Sequence, residues 1–305
     1  MKQITIGKGE VTGSEIALGC MRIDALAPKE AAALVHAALD AGVTYFDHAD
    51  VYAGGKSEEV FAQAIGMNAS VREKIILQSK CGIGKGQYDF SKQHILEAVQ
   101  GTLKRLQTDY LDVLLLHRPD TLMEPREVAE AFELLHRTGQ VRSFGVSNFN
   151  PLQIELLRRA VPYRLIVNQL QLSLTETGMI DSGFNVNTHF DGSVDHDGSI
   201  LEYCRLNEIT IQAWSPLLHG WFQGPFLGSE KFSELNAAVD VVAKAHGIPP
   251  VAVAIAWILR HPARIQPIVG SMNPARLRDI CKASGVELTH KEWYDLYLAG
   301  GKKLP

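Results

Sequence analysis

The sequence is poor in paired thiols, basic clusters and long apolar runs, and each shortage removes a class of protein. Its four cysteines, Cys20, Cys81, Cys204 and Cys281, are far apart and include no CxxC pair. Such spacing argues against a zinc site or a disulfide framework and fits free thiols in a reducing compartment. No block of five or more Lys and Arg occurs, and the formal net charge is -4. Nucleic acid and anionic membrane surfaces are held by clustered cations, so neither is an expected partner. No apolar stretch approaches the roughly 20 residues of a membrane span. The opening residues MKQITIGKGEVTG lack the apolar centre of a signal peptide. A cytoplasmic location is the expectation.

What the 305 residues do contain is a rhythm of short apolar strands and amphipathic helices. After an N-terminal hairpin, Ile16–Leu18 reads as a strand, and Pro28 opens a helix to about Asp40, proline being suited to the first helical turn. Further strands are predicted at Val43–Phe46, Lys74–Ser79, Leu111–Leu116, Val141–Val146, Arg164–Gln169, Ile209–Trp214 and Ile265–Val269, each followed by helical sequence. Strands buried on both faces are near-continuous apolar runs, as Val113–Leu116 is. Eight such units predict a closed (β/α)8 TIM barrel, residues 1–305 forming one domain with the hairpin capping its base. A doubly wound open sheet is the rival, but no glycine fingerprint follows the first strand.

Three stretches depart from the rhythm. Residues 173–199 are polar and weak in helical pattern, and long loops of this kind are usually functional, so a lid or substrate loop is expected. A calcium loop with Asp195 and Asp197 as third and fifth ligands before Gly198 would start at Ser193 and put Cys204 where the twelfth-position Glu belongs, so that motif fails. Gly82–Gly86 lacks the spacing of a phosphate loop and reads as flexible backbone at the rim of the barrel mouth. The segment Glu292–Tyr297 reads as a final surface helix.

Catalytic groups of such barrels collect at the C-terminal ends of the strands. Asp47 ends the second strand with Tyr52 just beyond; Lys80 follows the third and His117 the fourth. Taken singly, Asp47 suits a helix cap, Tyr52 packing, Lys80 a solvated strand end and His117 a satisfied core histidine. Convergence on one mouth favours chemistry instead. A phenol with a pKa near 10 holds its proton tightly, and a neighbouring ammonium favours the phenolate. Lys80 is therefore expected to lower the pKa of Tyr52, with Asp47 holding Lys80. His117 is placed to donate to a carbonyl oxygen as negative charge grows there. A metal-dependent hydrolase needs several clustered ligands, and His117 alone suits that role, so no metal is expected.

The segment at 46–58, Phe-Asp-His-Ala-Asp-Val-Tyr-Ala-Gly-Gly-Lys-Ser-Glu, resembles the aldo-keto reductase signature. Leu114–Asp120 and Gly145–Phe149 resemble two further motifs of that family in the right order, and the likeness extends over the whole chain, most closely to bacterial predicted oxidoreductases. The resemblance implies a tetrad of Asp47, Tyr52, Lys80 and His117 and the reduction of a small carbonyl substrate; a monomer is the default expectation, not one the resemblance supplies. The resemblance also implies NADP as cofactor, NADPH preferred over NADH. Ser147, Asn148 and Gln169 match the carboxamide-binding positions, Trp214 the ring stacked on the nicotinamide, and Ser215, Pro216 and Leu217 the pyrophosphate loop. Gly19, Cys20 and Met21, with Asp47, match positions near the nicotinamide ribose. Ser271 and Arg276 match the 2′-phosphate site, and Gly270 replaces a frequent lysine, which weakens the preference for NADPH without removing it. His48 stands where the family usually has Thr. Some relatives are cofactor-bound accessory subunits of channels, so a non-catalytic nucleotide-binding sensor is the alternative function; a complete tetrad argues against it.

Overall fold

In strands whose every second side chain points inward, parity decides which residues fill a barrel and which meet its helices. A computed structural model describes residues Met1–Pro305. Its eight barrel strands, all parallel, are Ala17–Gly19, Tyr45–Asp47, Ile76–Cys81, Leu111–Leu116, Val141–Ser147, Leu165–Gln171, Thr210–Trp214 and Gln266–Val269. They pair in chain order, and the eighth closes on the first. Leu114 and Leu116 join the large core beneath the surrounding helices, while Val113 and Leu115 face the barrel interior. Gly145 faces inward too, and a Cβ there would lie 2.7 Å from Leu115 Cδ2 and 2.8 Å from the Val167 carbonyl oxygen. The barrel leaves no room for a side chain at that position.

The predicted hairpin pairs Gln3–Ile6 with Val11–Ser14. Ile4, Ile6 and Val11 pack onto Tyr45, Val113, Val167 and Ile268 and plug the barrel. The Gly7 N–H donates to Thr210 Oγ at 2.9 Å, which fixes the plug to the start of the seventh strand. The opposite mouth stays open.

Two predicted boundaries are reproduced as read: the helix Pro28–Asp40 and the strand Leu111–Leu116. The third strand runs two residues past the predicted Ser79, to Cys81. Polar Gln78 and Lys80 interrupt the apolar run, yet both point into the barrel, where they have partners. Residues 173–199 are less irregular than expected, since Gly178–Phe184 is a helix. Its glycines give it little intrinsic helix preference; docking stabilises it, with Phe184 5.1 Å from the Tyr297 ring and Tyr297 Oη donating to Asp181 at 2.8 Å. The final helix, His290–Ala299, is not only superficial, because Trp293, Leu296 and Tyr297 are buried. Gly82–Gly86 is likewise more ordered than predicted, lying within a two-stranded ribbon that pairs Ile83–Gly84 with Gln87–Tyr88. No single helix is long and apolar enough to cross a membrane.

One buried ion pair joins the base of the third strand to the fourth. Arg72 donates to Asp112 Oδ2 at 2.6 Å, and the same oxygen accepts the Leu77 N–H at 2.9 Å. Removing one partner leaves the other charge buried and uncompensated. Asp112→Ala is therefore expected to lower unfolding free energy by about 3–5 kcal/mol in urea denaturation, whereas a change below about 1 kcal/mol would mean that Arg72 finds water instead.

Candidate active site

Lys80 is fully buried, and burial disfavours its charged form. Its ammonium meets three acceptors: Asp47 Oδ2 at 2.8 Å, the His48 carbonyl oxygen at 2.8 Å and Tyr52 Oη at 3.1 Å. An ammonium has three donors, and each is used. Burial pulls its pKa down, but the Asp47 charge and the Tyr52 contact outweigh this and hold it above the ordinary lysine value. Because the Tyr52 oxygen accepts from Lys80, the phenolic proton is left to point elsewhere. Tyr52 lines the large cavity at the barrel mouth.

The electrostatic outcome at Tyr52 corrects the sequence expectation. Lys80 does favour the phenolate, but burial is the larger effect, Asp47 adds to it, and the net pKa lies above 10. The group therefore keeps its proton at neutral pH. His117 stands edge-on to Tyr52 with ring centres 5.9 Å apart. Burial, with the nearby Lys80 and Arg118 cations, holds its pKa well below 6.5. A neutral imidazole at neutral pH retains one N–H to donate.

Beneath these groups runs a polar ladder that the sequence analysis missed. Asp47 Oδ1 accepts from Gln78 at 2.6 Å and from Gln169 at 3.0 Å. Both amides also donate to Gln212 Oε1, at 2.8 and 3.0 Å. Gln212 donates to Gln266 at 2.8 Å, and Gln266 to the Ser14 carbonyl oxygen at 2.7 Å. Tyr45 Oη donates to Gln78 Oε1 at 2.7 Å. The ladder thus runs from the basal hairpin to the Asp47 carboxylate. Its sequence signal was available: Gln78 lies two residues before Lys80 and Gln212 two before Trp214, which puts both on the inward parity.

The cavity has a volume of about 870 Å³. Its wall takes Gly19 from the end of the first strand, Met21 from the loop after it, and Asp47, Tyr52 and His117 from the next ends. Ser147, Asn148 and Gln169 follow, then Trp214 through Leu217, and finally Gly270, Ser271 and Arg276. Two predicted residues stand apart. Lys80 lies behind Tyr52 and Asp47, and Cys20 is buried with its thiol facing the Leu18 carbonyl oxygen at 3.7 Å. Burial and Asp47 push that thiol well up, so no reactive thiolate forms there. Asn148 and Ser215 adopt left-handed backbone, φ 63° and 52°, the kind of strain found where a site dictates conformation. Trp214 Nε1 donates to Asn148 Oδ1 at 3.0 Å, and Asn148 Nδ2 donates to Ser147 Oγ at 2.8 Å. The indole wall is therefore fixed in place.

Arg22 and Arg118 also line the cavity and went unrecognised in the sequence. Arg22 donates to the Gly270 carbonyl oxygen at 2.7 Å, so a cation from the first loop reaches the place where the resemblance had put a lysine. Trp221 and Phe222 form an aromatic wall of the cavity, whereas Phe226 is fully buried in the core. Residues 173–199, expected as a lid, contribute no cavity-lining residue. They brace the wall from behind: Ser173 Oγ donates to the Leu218 carbonyl oxygen at 3.0 Å, and Glu176 accepts the Gly220 N–H at 2.6 Å.

An eight-stranded barrel with ionisable groups gathered at one mouth is an enzyme architecture. Residues 15–297 match the Aldo/keto reductase family, and the chain belongs to that family of oxidoreductases. It is 36% identical over 281 residues to the uncharacterized oxidoreductase YcsN of Bacillus subtilis, covering 88% of each chain. It is 35% identical over 306 residues to the 6-dehydroglucose reductase of Agrobacterium fabrum, covering 95% of this chain and 96% of that one. Among solved structures it superposes on an aldo/keto reductase from Klebsiella pneumoniae in complex with NADP and acetate, with TM-score 0.77, 25% identity, and coverage of 99% and 96%.

His48 is buried against Phe61, ring centres 4.5 Å apart, and neither ring nitrogen has a hydrogen-bond partner. Burial, with Lys80 nearby, lowers its pKa to about 3. The fold thus prefers the neutral ring, so its contribution to stability is present above pH 6.5 and is lost as pH falls towards 3. Replacing it with the family's usual residue, His48→Thr, is expected to flatten the decline of unfolding free energy below pH 6.5 by up to about 1.4 kcal/mol per pH unit. Parallel pH profiles for the two proteins would show instead that the imidazole is solvated in the fold.

Proposed function

We propose that this protein reduces aldehydes or ketones to alcohols with NADPH, the proton coming from Tyr52. The bound nicotinamide would supply the hydride. The observation that carries the proposal is the 3.1 Å contact between Lys80 Nζ and Tyr52 Oη at the cavity wall, with Asp47 closing the other side of the ammonium. As the substrate oxygen gains charge, Tyr52 passes its proton to it, and Lys80 stabilises the phenolate that remains. His117 donates to the same oxygen and orients it. The proton left on the alcohol and the hydride on carbon complete the reduction.

The cavity supports the cofactor assignment. Ser147, Asn148, Gln169 and Trp214 would hold the nicotinamide, Ser215, Pro216 and Leu217 the pyrophosphate, and Gly19, Met21 and Asp47 the adjoining ribose. Ser271 and Arg276 would hold the 2′-phosphate, Arg22 adding positive charge beside Gly270. The lining fits an anionic dinucleotide, because its carboxylate, Asp47, is already paired with Lys80. Under this proposal the enzyme works as a monomer in the cytoplasm, residues 1–305 acting as one barrel domain; the four free cysteines suit a reducing compartment.

A panel of aldehydes, dicarbonyls and quinones with NADPH tests the activity. Tyr52→Phe is expected to lower kcat by about 10²–10⁴ while NADPH still quenches tryptophan fluorescence. Equal turnover by the two proteins would overturn the proton assignment. Arg276→Ala is expected to raise KM for NADPH about tenfold, the effect of losing one charge-assisted bond, and to leave KM for NADH nearly unchanged. Equal changes for both cofactors would remove Arg276 from the 2′-phosphate site.

A further inference from the structure

One strong charge at the mouth has no role in the reduction proposed above. Arg118 directly follows His117, lines the same cavity and is half-buried. Its guanidinium carbon lies 4.9 Å from the Trp221 ring centre and 5.8 Å from that of Trp214. No carboxylate acts on it; its ionisable neighbours are the phenols Tyr88 and Tyr52, and burial is the main influence on its pKa, which is lowered. The cavity's other charges are committed. Asp47 pairs with Lys80, Arg22 binds the Gly270 carbonyl oxygen, and Arg276 lies in the segment assigned to the 2′-phosphate.

A half-buried guanidinium without a counter-ion is costly. The tryptophan faces offset part of that cost through cation–π attraction. They leave its N–H donors free, and the planar fork matches a carboxylate with two parallel hydrogen bonds. Trp221, Phe222, Ile83 and Tyr88 provide apolar surface in the same cavity.

We infer that Arg118 binds a carboxylate on the substrate, and that the substrate class is oxo acids: aldehydes or ketones carrying a carboxylate remote from the carbonyl, joined to it by an aryl or alkyl spacer. The inference rests on the reductase reading, and the contact to the carbonyl oxygen remains with Tyr52 and His117.

The test compares each acid with its own methyl ester, which keeps shape and removes charge: 4-carboxybenzaldehyde against methyl 4-formylbenzoate, and succinic semialdehyde against its methyl ester. For the wild type, kcat/KM with NADPH is expected to favour the acid at least tenfold in one of the pairs, the factor that about 1.4 kcal/mol supplies. The advantage should shrink as salt is raised. In Arg118→Met the acid-to-ester ratio should fall to about one, and Arg118→Lys should keep part of it. A second readout needs no turnover: quenching of tryptophan fluorescence by 4-(hydroxymethyl)benzoate should saturate in the wild type and weaken about tenfold in Arg118→Met. If no carbonyl is reduced while the quenching behaves as expected, the reductase reading fails and the carboxylate site stands. If wild type treats acid and ester alike in both pairs, or Arg118→Met leaves the acid-to-ester ratio unchanged, the inference is overturned. A polyhydroxy aldehyde, glyceraldehyde, losing as much rate as the acids in Arg118→Met would also overturn it, by showing that Arg118 serves hydroxyl groups in general.

Discussion

A buried ammonium survives only if each of its protons is accepted, and that requirement organises the mouth of this barrel. Lys80 reaches three oxygens from one short stretch of chain: the Asp47 side chain, the His48 backbone and the Tyr52 phenol. The first two make the charge tolerable. In the proposed reduction the third turns a structural necessity into a chemical device, since a phenol beside a cation can give up its proton and be stabilised afterwards. That Tyr52 nevertheless keeps a raised pKa suits a donor, which must hold its proton until the acceptor has gained charge.

Asp47 is in turn held by its neighbours. Gln78 and Gln169 fix one of its oxygens, Lys80 takes the other, and the glutamine ladder transmits that positioning down to the basal hairpin. Buried amides are tolerable only when satisfied, and here each finds another amide, a carboxylate or a backbone carbonyl. The barrel interior is thus apolar at the plug and hydrogen-bonded beneath the site.

Much of this was legible in the chain. Near-continuous apolar strands in eight strand–helix units gave the barrel, and strand ends gave Asp47, Tyr52, Lys80 and His117. The ladder glutamines were missed because a polar residue inside a strand reads as an interruption, until the inward parity of a closed barrel supplies its partners. Arg118 was passed over because arginine at a strand end is ordinarily solvated; two tryptophans distant in sequence make it otherwise. The helix Gly178–Phe184 was hidden by its glycines, and its stability comes from the C-terminal helix. Cys20 shows the opposite error, where a position near the cofactor segment was read as a contact although its side chain turns into the core. The net direction at Tyr52 was also beyond the sequence, since burial and a cation compete there and only geometry weighs them.

The aromatic wall and the proton machinery are built on different parts of the chain. Trp221 and Phe222 stand on a surface loop braced by Ser173 and Glu176, while the ladder and the ammonium belong to the barrel itself. Mutations in that loop replace no residue of the ladder, so selection can redirect such an enzyme to new metabolites without rebuilding its engine. Divergent members of one lineage can then differ in diet while sharing a heart.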